Sequence, residues 1–416
     1  MIVVVGAGLT GLCLSRALKS AGAEHVVLEG LDRTGGVIRS VMRDGVVLEE
    51  GPQRLRATPA LRALIRDAGL AGDVIEAPSD LPLFIQRDGR LHLAPLRVRD
   101  LLRTDLLSLA AKARLLLEPF TAPAREDETV GAYFTRRTGR AAYEDVLGPL
   151  FGGLFASDPA NMLVRHALAP FLRAMHAERS MLLAWLTRSR RPAPPCSFRA
   201  GMQSLTDALH AHVKEHVRTG TPVRALRARP DGYEVLTDAT TIIADAVVLT
   251  CPADAAAVIL ADVAPDAAAR LASLAYNPLA VVHLRSDAHL YGLGWQASLR
   301  ESSVARGMTY NASLFGESRR GVSTAFMGGA RAPGALEKSD VELGDIAARA
   351  FSAVTGAVAE PVHVARTRVP AWDLSWRALD GLSLPRGIHL CANYESRIGL
   401  AGRVMAAQRV AARLIA

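Results

Sequence analysis

The sequence has few cysteines and no long apolar run, and both shortages narrow the range of functions. Its four cysteines, Cys13, Cys196, Cys251 and Cys391, are widely separated and form no Cys-x-x-Cys pair. This spacing predicts neither a zinc site nor a disulfide framework, and it favours a reducing, cytoplasmic setting. Apolar runs such as 181–186 are far shorter than the roughly 18 residues that a membrane-spanning helix requires. We therefore expect a protein that is soluble or lies on a membrane surface.

The sequence also lacks the features of a nucleic-acid-binding or metal-binding protein. Lysine and arginine outnumber the acidic residues by 49 to 41, but they are scattered along the chain. This excess favours acidic ligands or an anionic membrane surface, or it reflects an arginine-rich composition alone. No basic patch is interleaved with aromatic residues, so no nucleic-acid partner is predicted. His210, His212 and His216 offer too few ligands at suitable spacing, so no metal site is predicted either.

A chain of 416 residues is longer than one hydrophobic core usually supports, so two or three domains are expected. Leu-rich stretches predict an inserted helical domain over 87–195, which ends in Arg188, Arg190 and Arg191. Within 262–370, strand patterns at 280–284, 308–313 and 324–327, with a helix near 341–354, predict a second sheet that carries one face of a pocket. Residues 388–416 are predicted to form a strand, a loop and a helix.

A glycine-rich turn follows the first predicted strand. The strand, Ile2–Val5, is a continuous β-branched run directly after Met1, so we expect no targeting segment before it. A helix is predicted over 12–20 and a second strand over 26–28. The turn between the first strand and the helix reads Gly6, Ala7, Gly8, Leu9, Thr10, Gly11. A G-x-G-x-x-G turn in this setting brings a helix N-terminus to a dinucleotide diphosphate, and Glu29 is placed to accept hydrogen bonds from ribose hydroxyls.

The residues after Glu29 distinguish flavin from nicotinamide cofactors. Gly30 is followed by Arg33-Thr34-Gly35-Gly36 and Arg39, which resembles the Arg-x-Gly-Gly segment of the FAD amine-oxidase superfamily. Glu50-Gly51-Pro52-Gln53-Arg54 is similar to the next flavin-contacting turn of that superfamily. The resemblance implies that the cofactor is FAD. It also implies that Val223 holds the adenine through backbone groups, and that the flavin meets Asn393, Ile398, Gly399 and Leu400 near the C-terminus.

Several further segments resemble one branch of this superfamily, the protoporphyrinogen oxidases. They occur in the family order at 127–130, 136–139, 149–159, 197–202, 276–278, 307–315 and 326–330. The resemblance implies an α/β plus α+β fold with a discontinuous Rossmann-like FAD-binding domain, made of residues 1–86, 196–261 and 371–416. It implies a mixed-sheet substrate domain at 262–370 and a helical domain at 87–195 of the kind that docks on membranes.

The same resemblance implies a reaction in haem biosynthesis. A porphyrinogen, either protoporphyrinogen IX or coproporphyrinogen III, would be oxidised to the porphyrin by O2, with H2O2 as product. The cofactor carries the hydride transfer in such chemistry, so we name no catalytic general base. The sequence leaves open which porphyrinogen is used, what accepts the electrons and whether the chain forms a homodimer.

The chain departs from the family pattern in two regions. Ala392 and Arg397 replace glycines that bring backbone amides to the flavin, and Ala406-Ala407 stands where Ser-Gly is usual. Leu83 stands where familiar members carry an arginine that pairs with a substrate propionate. Two alternatives to a porphyrinogen oxidase are therefore kept. One is a flavin amine oxidase or desaturase that acts on another apolar substrate, and the other is a porphyrin-binding relative that has lost FAD.

Overall fold

The computed structural model describes residues 1–187, 193–395 and 399–415. Five residues singled out above, Arg188, Arg190, Arg191, Arg397 and Ile398, lie outside the described residues. The α-helices are α1 (Leu9–Ser20), α2 (Pro59–Asp67), α3 (Val98–Arg103), α4 (Leu109–Leu115), α5 (Val130–Thr138), α6 (Arg140–Ala142), α7 (Gly148–Gly152), α8 (Ala169–Ala174), α9 (Met181–Leu186), α10 (Gln203–Val213), α11 (Ala253–Leu260), α12 (Pro265–Ala272), α13 (Asn311–Phe315), α14 (Asp340–Thr355) and α15 (Leu400–Ile415).

The β-strands alternate with these helices along the chain. They are β1 (Ile2–Val5), β2 (His25–Leu28), β3 (Ser40–Arg43), β4 (Val46–Glu49), β5 (Leu55–Arg56), β6 (Val74–Glu76), β7 (Leu83–Arg87), β8 (Arg90–Leu93), β9 (Pro195–Phe198), β10 (Val217–Arg218), β11 (Val223–Arg229), β12 (Gly232–Thr237), β13 (Thr241–Ala244), β14 (Ala246–Leu249), β15 (Tyr276–Arg285), β16 (Gly294–Ala297), β17 (Ala305–Thr309), β18 (Val322–Gly328), β19 (Glu360–Pro370) and β20 (Ile388–Leu390).

A five-stranded parallel sheet carries the glycine turn. Its strand order is β10-β2-β1-β14-β20, and every neighbouring pair is parallel. Side chains of β1 alternate between its two faces: Val4 packs against α1, α10 and α15, whereas Val3 and Val5 pack towards the antiparallel sheet β11-β12-β13. Because both faces are covered, the central strands β1 and β14 are apolar throughout, as the β-branched run had predicted. The predicted opening of strand, helix and strand is confirmed.

A seven-stranded mixed sheet forms the second half of the molecule. Its order is β19-β15-β18-β17-β16-β7-β8, and only the β16–β7 pair is parallel. The predicted helix near 341–354 is confirmed as α14. It begins at a capping box in which the Ser339 hydroxyl accepts from the Glu342 N–H, and it ends at Gly356 in the left-handed conformation.

Two local predictions were wrong. Residues 90–93 were expected to be helical, but they form β8, since the Asp88-Gly89 pair has positive φ at both residues and closes a two-residue hairpin. A strand was expected over 308–313, but β17 ends at Thr309 and α13 begins at Asn311. The chain turns there as the Asn311 side chain enters the core to bond with Gln53. The β7–β8 hairpin extends the second sheet and spans residue 86, where the first segment of the FAD-binding domain was proposed to end. That domain boundary stays a prediction.

Buried histidines make the stability of this fold dependent on pH. Burial, followed by the nearby His363 and Arg319, lowers the pKa of His283 from 6.5 to about 3. Between these values the unfolded chain binds a proton that the folded chain does not, so stability falls as the pH falls through this window. We expect His283 alone to cost about 2 kcal/mol between pH 7 and pH 5. Urea unfolding at the two pH values measures this loss.

Two substitutions separate this contribution from the general effect of acid. His283→Gln removes the titrating group, so its free energy of unfolding is expected to change less between pH 7 and pH 5 than that of the unmodified chain. His176→Gln, at an exposed position, serves as the control and should leave the pH dependence unchanged. Equal pH dependence in His283→Gln and the unmodified chain would contradict the assignment.

Candidate cofactor site

The glycine turn after β1 is shaped by close backbone packing. Gly6 has a φ of +105°, and a Cβ on Gly11 would lie 1.9 Å from the carbonyl oxygen of Gly6. Thr250, which follows β14, fastens the turn from the other side, because its Oγ1 lies 2.9 Å from the carbonyl oxygens of both Val5 and Gly6. The sequence analysis missed Thr250. A polar residue directly after a buried parallel strand was the signal that could have found it.

The N-terminus of α1 is open to an anion. Gly8 is the N-cap residue of this helix, and it provides no side chain to satisfy the first-turn N–H groups. A second glycine turn comes close beside it, since a Cβ on Gly36 would lie 3.3 Å from the Cα of Gly8. The Gly35 N–H also donates to the Ala7 carbonyl at 2.9 Å. Leu9 and Thr10 then contribute backbone N–H groups where a diphosphate would be bound.

Glu29 lies at the end of β2 and is anchored by the glycine turn. Its Oε2 accepts from the Ala7 N–H at 2.7 Å, and its Oε1 accepts from the Leu31 N–H at 3.0 Å. Each carboxylate oxygen keeps a lone pair that can accept from a ribose hydroxyl. Gly30 lies beside Pro222, with 3.5 Å between an added Cβ and the proline Cβ, so the start of β11 at Val223 is adjacent to this carboxylate.

The two arginines of the second turn have different structural roles. The Arg33 guanidinium donates to the carbonyls of Thr34 and Gly36, at 3.2 and 3.0 Å, and so braces its own turn. Arg39 instead pairs with the Glu50 carboxylate at 3.2 Å and remains half exposed. Both guanidinium groups therefore bind other groups of this chain, and they shape the site by holding its turns in place.

The turn 51–54 continues the site from the glycine turns. A Cβ on Gly51 would lie 1.9 Å from the Val37 carbonyl oxygen, so this turn packs directly on the residue that follows Gly36. Pro52 and the buried Gln53 lead to Arg54. Burial, followed by the charge of Arg56, lowers the pKa of Arg54 to about 10. The buried Nη1 of Arg54 has no hydrogen-bond partner among the described residues.

A buried guanidinium nitrogen without a hydrogen-bond partner is unfavourable, so Nη1 of Arg54 tests whether the site fits a cofactor. An electronegative group of a bound dinucleotide would satisfy it. The bare N-terminus of α1 and the unused lone pairs of Glu29 match the diphosphate and the ribose in the same way. The donor and acceptor groups of this site therefore fit FAD.

The described part of the C-terminal segment accommodates the alanines that depart from the glycine pattern. Ala392 is buried and is not among the residues with positive φ, so its methyl group causes no backbone strain here. Its carbonyl accepts from the Arg403 guanidinium, which is buried on α15. Ala406 and Ala407 are buried where α15 packs near α1.

The flavin contacts predicted near the C-terminus lie at three described positions. Asn393 is exposed three residues after the end of β20, Gly399 has a φ of +98°, and Leu400 begins α15. Arg397 and Ile398 lie outside the described residues. Together with the glycine turns, the structure places most of the predicted residues along one edge of the parallel sheet.

A separate cavity of about 560 Å³ lies along the outer edge of β20. Its wall is aromatic and includes Phe155, Phe171, Trp372 and Trp376. None of the predicted cofactor residues that the structure describes lines this cavity, so the cofactor site lies at the strand ends and not here.

Two of the three histidines considered as metal ligands have other partners. His212 Nδ1 bonds to the Ala208 carbonyl at 2.8 Å, and His216 stacks on His25 with 4.1 Å between ring centroids. In the part of the chain that the structure describes, no three His, Cys, Asp or Glu side chains are grouped as metal ligands.

Comparison with known proteins agrees with this geometry. The family model described as flavin containing amine oxidoreductase matches residues 9–415. Protoporphyrinogen oxidase 1 of spinach chloroplasts is 26% identical over 99% of this chain and 84% of its own length. Bovine protoporphyrinogen oxidase is 29% identical over 76% of this chain and 74% of its own length.

Solved structures share the fold at lower identity. A provisionally named protoporphyrinogen oxidase from Exiguobacterium sp. 255-15 superposes with a TM-score of 0.82, at 22% identity, over 100% of this chain and 98% of that one. Wild-type putrescine oxidase bound to putrescine superposes with a TM-score of 0.76, at 20% identity and the same coverage. This chain belongs to the flavin containing amine oxidoreductase family and is an FAD-dependent oxidoreductase.

Proposed function

We propose that this chain oxidises a porphyrinogen, protoporphyrinogen IX or coproporphyrinogen III, to the corresponding porphyrin in haem biosynthesis. O2 is the electron acceptor and H2O2 the product. Six electrons leave the substrate, so three O2 molecules are consumed and three H2O2 molecules are formed. The observation that carries the proposal is that the spinach and bovine relatives, aligned over 99% and 76% of the chain, are both named protoporphyrinogen oxidase.

The residues of the site support this chemistry by binding and orienting the cofactor. FAD supplies the hydride acceptor, so the chain needs no nucleophile and no general base for the oxidation step. The first turn of α1 holds the diphosphate, Glu29 accepts from the ribose, and Arg54 meets an electronegative group of the cofactor. Val223, Asn393, Gly399 and Leu400 contribute backbone contacts along the same edge, with Ile398 as the remaining member of this proposed set.

The proposal is tested by comparing substrates under air. Purified, FAD-loaded protein is given protoporphyrinogen IX, coproporphyrinogen III or putrescine, and porphyrin absorbance and H2O2 are both recorded. We expect porphyrin to form from at least one porphyrinogen, with three H2O2 released for each porphyrin. Oxidation of putrescine alone would instead assign the chain to the amine oxidases. Turnover of neither class by FAD-loaded protein would reject the porphyrinogen proposal.

We also propose that the helical region carries a membrane-docking surface, formed by Leu102, Leu109, Leu116, Leu117 and Phe120. Their exposed fractions are 74%, 84%, 65%, 54% and 87%, and lysine and arginine outnumber acidic residues within 96–120. Clustered exposed apolar side chains with a net positive charge suit an anionic lipid surface. Among the described residues, no helix is long and apolar enough to cross a bilayer.

Replacing Leu109 and Phe120 with serine is therefore expected to reduce membrane binding. In the unmodified chain each side chain would transfer its exposed apolar area into the membrane interface. The double variant should therefore bind anionic vesicles about tenfold more weakly. Co-sedimentation with phosphatidylglycerol-containing vesicles measures the change. The matched control replaces Val341 and Val358 with serine; these residues are 73% and 81% exposed and lie elsewhere on the chain. Equal losses in both double variants would contradict the assigned surface.

A further inference from the structure

Gln53 belongs to a closed ring of buried hydrogen bonds that joins the turn 51–54 to the seven-stranded sheet. Its Nε2 donates to the backbone carbonyls of Glu49 and Gly51, at 2.7 and 3.1 Å. A carbonyl oxygen only accepts, so these two bonds fix the orientation of the Gln53 amide. Its Oε1 consequently faces Asn311 and accepts from Asn311 Nδ2 at 3.0 Å.

The directions of the other bonds follow from that orientation. Asn311 presents its Oδ1 to Thr324, whose hydroxyl donates to it at 2.8 Å. Because a hydroxyl has one proton, Thr324 Oγ1 can only accept from His283 Nδ1, which is 3.0 Å away. His283 Nε2 lies 3.1 Å from the same Glu49 carbonyl at which the ring began. The four residues of the ring are 0–7% exposed, which shields these bonds from water.

The ring is short of one proton when His283 is neutral. Both nitrogens of His283 face acceptors, so only an imidazolium ion would satisfy both bonds. The surroundings oppose this charge: burial lowers the pKa of His283 to about 3, and the stacked His363 and the Arg319 guanidinium act in the same direction. Arg319 is paired with the Glu49 carboxylate at 3.0 Å, and His363 bonds to Glu50 at 2.9 Å.

When His283 is neutral, one hydrogen bond of the ring lacks its proton. The orientation of the ring's side chains then depends on each of the remaining donors. The Thr324 proton is the donor that holds Asn311 Oδ1. Without it, the Asn311 amide is free to rotate, and its Nδ2 no longer fixes Gln53 Oε1. Gln53 directly precedes Arg54, the cation with an unpaired Nη1. The orientation of the turn is thus set from the second sheet.

We propose that His283, Thr324 and Asn311 are positioning residues that orient Gln53 and Arg54 towards bound FAD. They act through the ring and are not themselves assigned to touch the cofactor. This inference rests on the cofactor role proposed above for the turn 51–54. It extends the functional residues to two strands of the second sheet, β15 and β18, and to helix α13, which no cofactor motif includes.

The test removes one hydroxyl from the ring. Thr324→Val is expected to bind FAD about tenfold more weakly, the loss that corresponds to roughly one buried hydrogen bond. It is also expected to shift the absorption bands of bound flavin. Thr324→Ser restores the hydroxyl and should stay within about twofold of the unmodified chain. Quenching of FAD fluorescence gives the affinity, and melting temperature is recorded for every variant.

A matched control separates positioning from a general loss of stability. Thr138→Val removes another buried hydroxyl, which donates to the Phe134 carbonyl within α5, and should leave FAD affinity and spectrum unchanged. The proposal is overturned if Thr324→Val melts lower but keeps the affinity and spectrum of the unmodified chain. If Thr324→Val does not fold, Asn311→Ser carries the same expectation and the same contradiction. Failure of the unmodified chain to take up FAD would instead overturn the cofactor role, and this inference with it.

Discussion

Gly11→Ala is expected to abolish FAD binding and to destabilise the fold by about 3 kcal/mol or more. The added Cβ would lie 1.9 Å from the Gly6 carbonyl oxygen, which is part of the backbone and has no free direction in which to move. Relief requires α1 to separate from β1, and the turn that receives the diphosphate opens with it. Urea unfolding gives the stability, and flavin absorbance after gel filtration gives the FAD retained.

Gly72→Ala is the matched control for this substitution. Nothing lies within 4 Å of a Cβ at Gly72, and its φ is not in the left-handed region. We therefore expect a change in the free energy of unfolding of about 0.5 kcal/mol or less, and full retention of FAD. A Gly11→Ala protein that kept its stability and its flavin would show that α1 and β1 do not approach as described.

Arg54→Met is expected to have opposite effects on the apoprotein and on cofactor binding. In the apoprotein the substitution removes a buried guanidinium whose Nη1 has no described partner, so stability should rise by about 1–3 kcal/mol. In the loaded protein it would remove the charge-assisted bond to the cofactor proposed above, so FAD affinity should fall roughly a hundredfold. Melting curves without and with excess FAD report both effects in one experiment.

Arg66→Met, at an exposed position on α2, controls for the loss of a positive charge. It should leave both melting curves close to those of the unmodified chain. Arg54→Met would contradict the assignment if it lowered the stability of the apoprotein and left the stabilisation by FAD intact. That result would make Arg54 a structural residue.

The first part of the fold could be predicted from the sequence because its signals are local. The β-branched run, the glycine turn and Glu29 lie within one short segment, and the structure joins them by bonds such as the 2.7 Å contact between Ala7 N–H and Glu29. The hairpin at Asp88-Gly89 also had a local signal, the Asp-Gly pair, which the sequence analysis did not use.

The ring around Gln53 could not be predicted in this way. Asn311 bonds to Gln53 across 258 positions of the chain, and His283 reaches the Glu49 carbonyl across 234. No spacing rule links residues so far apart, and each of them alone is an ordinary polar residue in a buried strand or turn. Only the register of the seven-stranded sheet, which places His283 opposite Thr324, brings them together.

The departures at the C-terminus illustrate the same limit of pattern-based inference. Ala392 breaks a glycine pattern, which raised the hypothesis that the chain had lost FAD. The structure accommodates its methyl group in the core at a negative φ, and Arg403 anchors its carbonyl from α15. Backbone strain demands a glycine only where φ is positive, and Ala392 is not among the positive-φ residues.

The most direct test of the account is an anaerobic titration of the purified, FAD-loaded protein with protoporphyrinogen IX and, separately, with coproporphyrinogen III. The account predicts one flavin per chain and stepwise bleaching of its visible absorption by at least one of the two. Colourless protein that stays colourless in excess FAD would contradict it, as would bound flavin that neither porphyrinogen reduces.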